Sequence, residues 1–313
     1  LDDSLRRAVG SESTVGILLS GGLDSTTLLE RLRVTNPDLK VASFSAVFDK
    51  YRWSEREAIE ELLRKRPDVS QTWLSYTAAD AVERISGLTW QNEVPLRSLA
   101  VLSQQMLFSA VSSDSQVRVV LTGTGADAVF AGSRGFNRAA LVELGRRLAI
   151  HSLARELRAL RSGDGYRPLR DWRSLASMAS RVIRAPQTDV VKDMQLTSLW
   201  SSPVPEYLHY EGRNSRPVGL TVRWPYLDEQ LINWALQLPL SQKVHLGERK
   251  VVMRQAMRES LPKTIVDSRV KNGFYTPQED WQLKTPLREW IEDRLAALGE
   301  YSWGDGPHPV DIF

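Results

Sequence analysis

The sequence predicts an α/β protein built on a doubly wound parallel sheet, with a mostly helical C-terminal half. Short apolar runs alternate with stretches of helical spacing in the first part of the chain, and this alternation is typical of a parallel sheet. Two of the apolar runs, residues 15–19 and 117–121, lead directly into glycine-bearing turns. Ligands of such sheets bind beyond the carboxyl ends of the strands, so we expect the functional site at these two turns.

The elements are predicted in chain order from these patterns. We expect a short amphipathic helix over residues 1–9, strands over residues 15–19, 41–48, 71–76 and 117–121, and helices from Ser25, after a capping pattern at residues 54–57, over 79–85 and over 96–111.

The second half of the chain has a different character. Residues 133–187 are rich in arginine and carry no strand pattern. Solvated helix faces explain these arginines, and a surface for a partner chain, an acidic peptide or a membrane is the functional alternative. We therefore divide the chain into an α/β core over residues 1–132 and a mostly helical substrate-binding part over residues 133–313.

The composition excludes several classes of protein. The chain has 313 residues, a net charge of +3 and no cysteine. Disulfide bonds, cysteine-ligated zinc and a thiol nucleophile are thereby excluded, and so small a charge does not indicate a nucleic-acid partner. No apolar run reaches the ~18 residues of a transmembrane helix, so we expect none. The lack of cysteine is consistent with the cytoplasmic location that we expect. The chain starts at Leu1 without a methionine, and we expect it to be a fragment of a longer chain.

The first turn reads Ser-Gly-Gly-Leu-Asp-Ser over residues 20–25. Its glycines leave main-chain N–H groups uncovered, and Ser25 and Thr26 open the following helix. Free N–H groups and a helix N-terminus both favour an anion, so the turn predicts a phosphate site. Asp24 lies beside that site, and a carboxylate there predicts a magnesium ion shared with the phosphates. For an isolated Ser-Gly-Gly, the alternative interpretation would be a tight turn between strand and helix that binds no ligand.

The second turn has two glycines flanking Thr124, followed by Asp127. If the two strands are neighbours, Asp24 and Asp127 face one another and form a magnesium site completed by phosphate oxygens and water. The alternative is that Asp127 only stabilises a helix N-terminus. Several cationic side chains further along the chain are candidates for contact with the phosphates, and the alternative is that each is an ordinary surface charge. They are Lys250, Arg254, Arg269 and Lys271.

Taken together, these segments resemble the synthetase domain of the asparagine synthetase family. The first turn resembles the pyrophosphate loop of N-type ATP pyrophosphatases, and residues 122–132 match the family's Ser/Thr-Gly-x-Gly-Ala/Ser-Asp-x-x-Phe-x-Gly. Residues 212–215 and 223–228 are similar to the third motif, and Arg269 and Lys271 occupy the positions of the Arg and Lys in the last one.

The resemblance implies a fold, an activity and a set of site residues. Members of the family use ATP and Mg²⁺ to convert a carboxylate into an acyl-adenylate with release of pyrophosphate, and an amine then displaces AMP. By resemblance, Asp24 and Asp127 hold the metal, and Lys271, Thr124 and Arg223 are catalytic. The residues implied to bind the nucleotide and pyrophosphate are Leu18, Ser20, Gly21, Gly22, Asp24, Ser25, Thr122 and Gly123.

Two departures from the family pattern bear on the substrate. Thr124 stands where asparagine synthetases usually carry Glu and β-lactam synthetases carry Tyr, and Gly212 replaces an Asp before Arg213. A threonine cannot act as a carboxylate base. We therefore expect a specialised enzyme acting on a small-molecule or peptide carboxylate, first of all a lasso peptide macrolactam synthetase, with a peptide-delivery or glutaminase partner. An asparagine synthetase, a β-lactam synthetase and an inactive binding partner are the alternatives.

Overall fold

A five-stranded parallel sheet forms the centre of the fold. The computed structural model describes residues 1–49, 55–162, 189–269, 276–283 and 286–299. The strand order is β3-β2-β1-β4-β5, and every pairing within this sheet is parallel. The strands are β1 (Thr14–Leu18), β2 (Lys40–Ala46), β3 (Val69–Leu74), β4 (Val119–Leu121) and β5 (Thr221–Arg223). The chain winds outward from β1 in both directions, which confirms the predicted doubly wound fold.

Helices cover the sheet and make up most of the C-terminal part, as the sequence predicts. Those of the first part are α1 (Asp2–Val9), α2 (Leu23–Thr35), α3 (Arg56–Leu63), α4 (Ala78–Asn92), α5 (Ala100–Ser112) and α6 (Ala126–Val129). Those that follow are α7 (Gly135–Arg146), α8 (Ile150–Ser162), α9 (Val190–Trp200), α10 (Val204–Ser215), α11 (Glu229–Gln237), α12 (Leu240–Lys243), α13 (Val251–Met257), α14 (Lys263–Val266), α15 (Gln278–Gln282) and α16 (Leu287–Gly299). Two short strands, β6 (Val244–His245) and β7 (Glu248–Arg249), form an antiparallel hairpin.

The central strand β1 is buried over its whole length because both of its faces are covered. Val15 and Ile17 belong to one apolar cluster and Leu18 belongs to a second, so alternate side chains enter opposite layers. Gly16 lies where the second layer approaches most closely, since a Cβ atom there would come within 2.9 Å of Val117 Cγ1. The core thus fixes the position of β1, and with it the turn that follows.

The fifth strand was not predicted from the sequence. Strand β5 has three residues, of which only Val222 is buried, so it has neither the length nor the apolar run that identified the others. It pairs with β4, with Leu121 opposite Arg223. The sheet therefore draws a strand from beyond residue 132, while the division into two parts at that residue stays a prediction.

Two arginines of the arginine-rich stretch share a buried partner inside the fold. Arg146 and Arg147 contact the carboxylate of Glu143 at 2.9 and 2.5 Å, and the main-chain N–H of Val190 donates to the same carboxylate. Glu143 is fully buried, so this pairing supplies the partners that a buried charge requires. Residues 163–187 of that stretch lie outside the described residues. In the part of the chain that is described, no helix is long and apolar enough to cross a membrane.

Candidate active site

The two glycine-bearing turns lie side by side at the carboxyl edge of the sheet. Strands β1 and β4 are neighbours, with Gly16 opposite Val120 and Ile17 opposite Leu121. Strand β1 leads through Ser20, Gly21 and Gly22 into α2, and β4 leads through residues 122–125 into α6. The structure thus provides the arrangement on which the sequence-based metal site depends.

The first turn is closed by hydrogen bonds from its own serines. The main-chain N–H of Ser20 donates to Ser25 Oγ at 3.0 Å, and Ser25 Oγ donates to the Ser20 carbonyl at 2.8 Å. Gly21 lies against the start of α3, because a Cβ atom at Gly21 would come within 3.1 Å of Glu55 Cβ. The loop is therefore shaped by its own serine side chains and by its close approach to Glu55, the residue before α3.

Asp24 and Asp127 converge on one cation, the ammonium of Lys250. Lys250 Nζ lies 2.6 Å from Asp127 Oδ1 and also contacts Asp24 Oδ1. The lysine side chain is 8% exposed and the two carboxylates are about a quarter exposed. Burial lowers the pKa of the Lys250 ammonium from its ordinary value, and the Asp24 carboxylate opposes that shift.

The residues around this cluster leave room for it. A Cβ atom on Gly132 would lie 2.0 Å from Lys250 Cε and 2.1 Å from Asp127 Oδ1, so only glycine fits there. Gly125 has a φ of +95° and abuts Leu227, whose Cδ2 would be 2.3 Å from an added Cβ. Tyr226 is fully buried and donates its hydroxyl to the main-chain oxygen of Asp24 at 2.9 Å. The glycines of the second turn are thus required by packing.

Two carboxylates that meet at one point fit a magnesium ion. Among the described residues, no group of three His, Cys, Asp or Glu side chains could hold a metal ion. Mg²⁺ commonly takes one or two carboxylates and completes its octahedron with phosphate oxygens and water. The donor set of Asp24 and Asp127 matches this chemistry, provided that Lys250 moves away from their shared point.

A second polar cluster lies on the other side of the second turn, around Glu211 of α10. Glu211 is 2% exposed. Its carboxylate accepts hydrogen bonds from Thr122 Oγ1 at 3.0 Å, from Thr124 Oγ1 at 2.5 Å and from Gln104 Nε2 at 3.3 Å. The indole N–H of Trp224 donates to it as well. Burial raises the pKa of the Glu211 carboxyl above its usual range, and the hydrogen bonds from Thr124, Trp224 and Thr122 oppose the rise.

Sequence reasoning missed Glu211, although a signal was present. The buried positions of α10 include Val204, Glu211 and Ser215, which share one face at helical spacing. An acidic residue on the buried face of a helix needs partners or a function. The spacing could have identified the carboxylate, but not the turn that it meets.

The structure places most of the predicted nucleotide residues at this edge. Leu18 is buried in the second apolar cluster, and Gly123 packs against Asp24, whose Cβ would lie 3.1 Å from an added Cβ. Arg223 accepts a main-chain hydrogen bond from Thr122 at 3.2 Å and is itself exposed. Its catalytic role stays a prediction. Lys271 lies outside the described residues.

The cations that the sequence could not separate differ in their partners. Arg254 is buried and donates to the carbonyls of Arg249, at 2.8 Å, and Val266. Arg269 contributes its carbonyl, which accepts from Arg249 at 3.0 Å. Of these three described cations, Lys250 is the one that forms an ion pair with both aspartates. Gly212, in contrast, lies in open space, with no heavy atom within 4 Å of an added Cβ.

Glu55, beside the first turn, is buried at 8% exposure. Burial raises the pKa of its carboxyl to about 7, and a backbone hydrogen bond from Gly21 opposes the rise. Between the unfolded pKa of 4.5 and about 7, the folded protein keeps a proton that the unfolded chain has released. Stability therefore falls as the pH rises through this window.

The Glu55→Gln variant is expected to lose this pH dependence. Between pH 5 and pH 8 its free energy of unfolding should rise relative to the wild type by about 2 kcal/mol, because the amide has no charge to bury. Urea unfolding at the two pH values measures the difference. Glu57→Gln, an exposed position two residues further on in the first turn of α3, is the matched control. If the free energy of unfolding of Glu55→Gln differed from that of the wild type by the same amount at both pH values, the raised pKa of Glu55 would be refuted.

Comparison with known proteins adds a family profile and several distant relatives. The profile described as asparagine synthase matches residues 1–302. Proteins named "Putative asparagine synthetase [glutamine-hydrolyzing]" from Mycobacterium bovis and Mycobacterium tuberculosis (strain H37Rv) are 23% identical, over 100% of this chain and 51% of their own length. "Asparagine synthetase [glutamine-hydrolyzing] 1" of Bacillus subtilis is 22% identical, over 93% of this chain and 50% of its own length. The chain spans about half the length of these relatives.

Proposed function

The chain belongs to the asparagine synthase family, and on that premise we propose that it is an ATP-dependent carbon–nitrogen ligase that forms AMP. It activates a substrate carboxylate as an adenylate, releases pyrophosphate and lets an amine displace AMP. The observation that carries this proposal is the convergence of Asp24 and Asp127 on one point at the carboxyl edge of β1 and β4.

The first half-reaction is assigned to the first turn and the two aspartates. The N-terminus of α2, which follows this turn directly, would bind the phosphates through its main-chain N–H groups. Asp24 and Asp127 would hold Mg²⁺, which when bound neutralises charge on the phosphates and on the leaving pyrophosphate. By family resemblance, we assign to Lys271 a contact with the phosphates that stabilises the same charge.

The second half-reaction is assigned to Thr124 and Glu211. The Thr124 hydroxyl donates to Glu211, so its oxygen keeps lone pairs for an N–H group of the attacking amine. A carboxylate whose pKa is raised by burial accepts a proton more readily than an ordinary one. We assign to this pair the removal of the amine's proton, through the Thr124 oxygen to Glu211. The carboxylate that Thr124 itself lacks is thereby supplied by α10.

The substrate class follows from the same departure. Thr124 and Gly212 depart from the usual family pattern, so the acyl acceptor we propose is an amine carried by a small molecule or peptide, with peptide macrolactam formation as the first case. Asparagine formation is the second candidate, because relatives are named as glutamine-hydrolysing asparagine synthetases. A glutaminase partner belongs to that second candidate and a peptide-delivery partner to the first. We place either activity in the cytoplasm.

Exchange between ATP and labelled pyrophosphate is the test of this function. The chain is incubated with ATP, Mg²⁺ and one carboxylate at a time: aspartate, other amino acids, and peptides with an acidic side chain. A peptide or non-aspartate carboxylate is expected to raise exchange at least tenfold above the rate without carboxylate. Exchange with aspartate followed by asparagine formation would support the second candidate. No exchange with any carboxylate, together with no ATP binding, would leave an inactive binding partner.

A further inference from the structure

The ammonium of Lys250 lies at the point that a metal ion between Asp24 and Asp127 would have to occupy. It contacts an oxygen of each carboxylate, with 2.6 Å separating it from Asp127 Oδ1. A magnesium ion held by the same two oxygens needs contacts of about 2.0–2.1 Å from a point between them. The two cations therefore cannot share this place, and the lysine has to leave before a metal can enter.

The chain builds this placement from several separated parts. Lys250 follows the β6–β7 hairpin and has a left-handed backbone, with φ of 56° and ψ of 38°, a conformation that residues other than glycine seldom adopt. Its carbonyl accepts from the N–H of Arg254 at 3.0 Å, which holds it at the start of α13. Gly132 leaves the space that the side chain crosses, since a Cβ atom there would lie 2.0 Å from Lys250 Cε. The lysine is therefore directed into the carboxylate pair by both backbone and packing.

The charges at this point decide what can replace the lysine. Two carboxylates and one ammonium are paired at side-chain exposures of 23%, 24% and 8%. A metal ion that arrived alone would leave the ammonium buried beside a divalent cation and without its partners, and such an unpaired buried charge is costly. Phosphates that arrive with the metal supply new oxygens for the ammonium. The ammonium then changes its partners from carboxylates to phosphates, and every charge stays paired.

We propose that Lys250 occupies the metal position in the nucleotide-free protein, so that the site excludes free Mg²⁺ and admits the metal only together with ATP. This inference rests on the proposed function, because it takes Asp24 and Asp127 as the metal ligands. It makes Lys250 a positioning residue that sets the order of binding: the metal–nucleotide complex enters as a unit while the lysine moves onto the phosphates.

Binding of Mn²⁺ alone, followed by electron paramagnetic resonance of the free ion, tests the inference without any reaction. The wild-type chain is expected to bind Mn²⁺ at least tenfold more weakly in the absence of a non-hydrolysable ATP analogue than in its presence. Lys250→Met keeps the aliphatic stem and removes the ammonium, so it should bind Mn²⁺ without nucleotide at least tenfold more tightly than the wild type. Adding Asp127→Asn to Lys250→Met should abolish the gain and locate the ion at the carboxylate pair.

The control is Lys243→Met, which removes a lysine that is also buried but donates to the Leu236 carbonyl at 3.1 Å. It should leave Mn²⁺ binding as in the wild type. If Lys250→Met does not fold, the wild-type titrations with and without the analogue decide alone. Equal Mn²⁺ affinity in both would overturn the inference while leaving the proposed function intact. Failure of the wild type to bind Mn²⁺ even with the analogue would instead count against the proposed function.

Discussion

The Glu211→Gln variant is expected to keep ATP–pyrophosphate exchange while forming amide product at least 100-fold more slowly than the wild type, the lower end of what a positioned acid–base group contributes. Glutamine has nearly the same shape but one acceptor oxygen in place of two. That oxygen suits the indole N–H of Trp224, which can only donate. The amide NH₂ then faces Thr124, whose oxygen has to accept from it. The attacking amine thereby loses both the orienting hydroxyl and the final proton acceptor.

Single-turnover assays separate the two half-reactions of this variant. Glu206→Gln, on the exposed side of the same helix and paired with Arg97, is the control for charge and helix propensity. Thr124→Ser should retain product formation because it keeps the hydroxyl, and Thr124→Ala should lose it. Unchanged product yield in Glu211→Gln would remove the carboxylate from the mechanism. Loss of exchange together with product would make its role structural, since four donors around it would then lack a full set of acceptors.

The pH profile gives an independent readout of the same assignment. If Glu211 accepts the proton, product formation in the wild type should fall as the pH falls through its pKa, which burial raises above the usual carboxyl range. The Glu211→Gln variant has no such group, so this limb of its profile should be absent. Exchange, which ends before the amine attacks, should not follow the limb in either protein.

The second turn explains why the two half-reactions can be separated. Thr122 and Thr124 direct their hydroxyls to Glu211, while Gly123, between them, packs against Asp24. Alternate residues of this short segment thus contact Glu211 on one side and Asp24 on the other. A change at Glu211 reaches Thr124 first and the carboxylate pair only through the backbone of the turn.

Sequence patterns predicted the parts of this site that are local. The run from strand to glycine turn to helix is contained within a few residues, and it identified the turns of Asp24 and Asp127 and their sheet. The partners that complete the site come from far along the chain. Lys250 and Glu211 meet the turns through tertiary packing, and spacing along a helix tells which face is buried but not which loop it meets. Strand β5 was missed for a related reason, since three residues with one buried side chain carry no period.

The cations illustrate the same limit. In the sequence, Lys250, Arg254 and Arg269 are equivalent candidates for contact with phosphates. The structure distinguishes them through groups that sequence cannot place, because Arg254 is engaged by main-chain carbonyls and Lys250 by the two aspartates. The departure at Thr124 was recognised as a missing carboxylate, and only the fold revealed a carboxylate within 2.5 Å of its hydroxyl.

Asp24→Asn is expected to abolish pyrophosphate release and exchange, with a loss of at least ~1,000-fold, because it removes one of two carboxylates on which the metal position depends. The change also takes a charged partner from Lys250, which is held by Asp24 and Asp127 together. Thermal unfolding and circular dichroism therefore have to show that the variant is folded. Asp38→Asn, an exposed aspartate beyond the end of α2, is the matched control. Mn²⁺ bound with the ATP analogue should weaken in Asp24→Asn and not in the control, since the ion loses one ligand. Near-normal exchange in a folded Asp24→Asn protein would refute its role as a metal ligand, and the adenylating site would then have to be sought elsewhere than between β1 and β4.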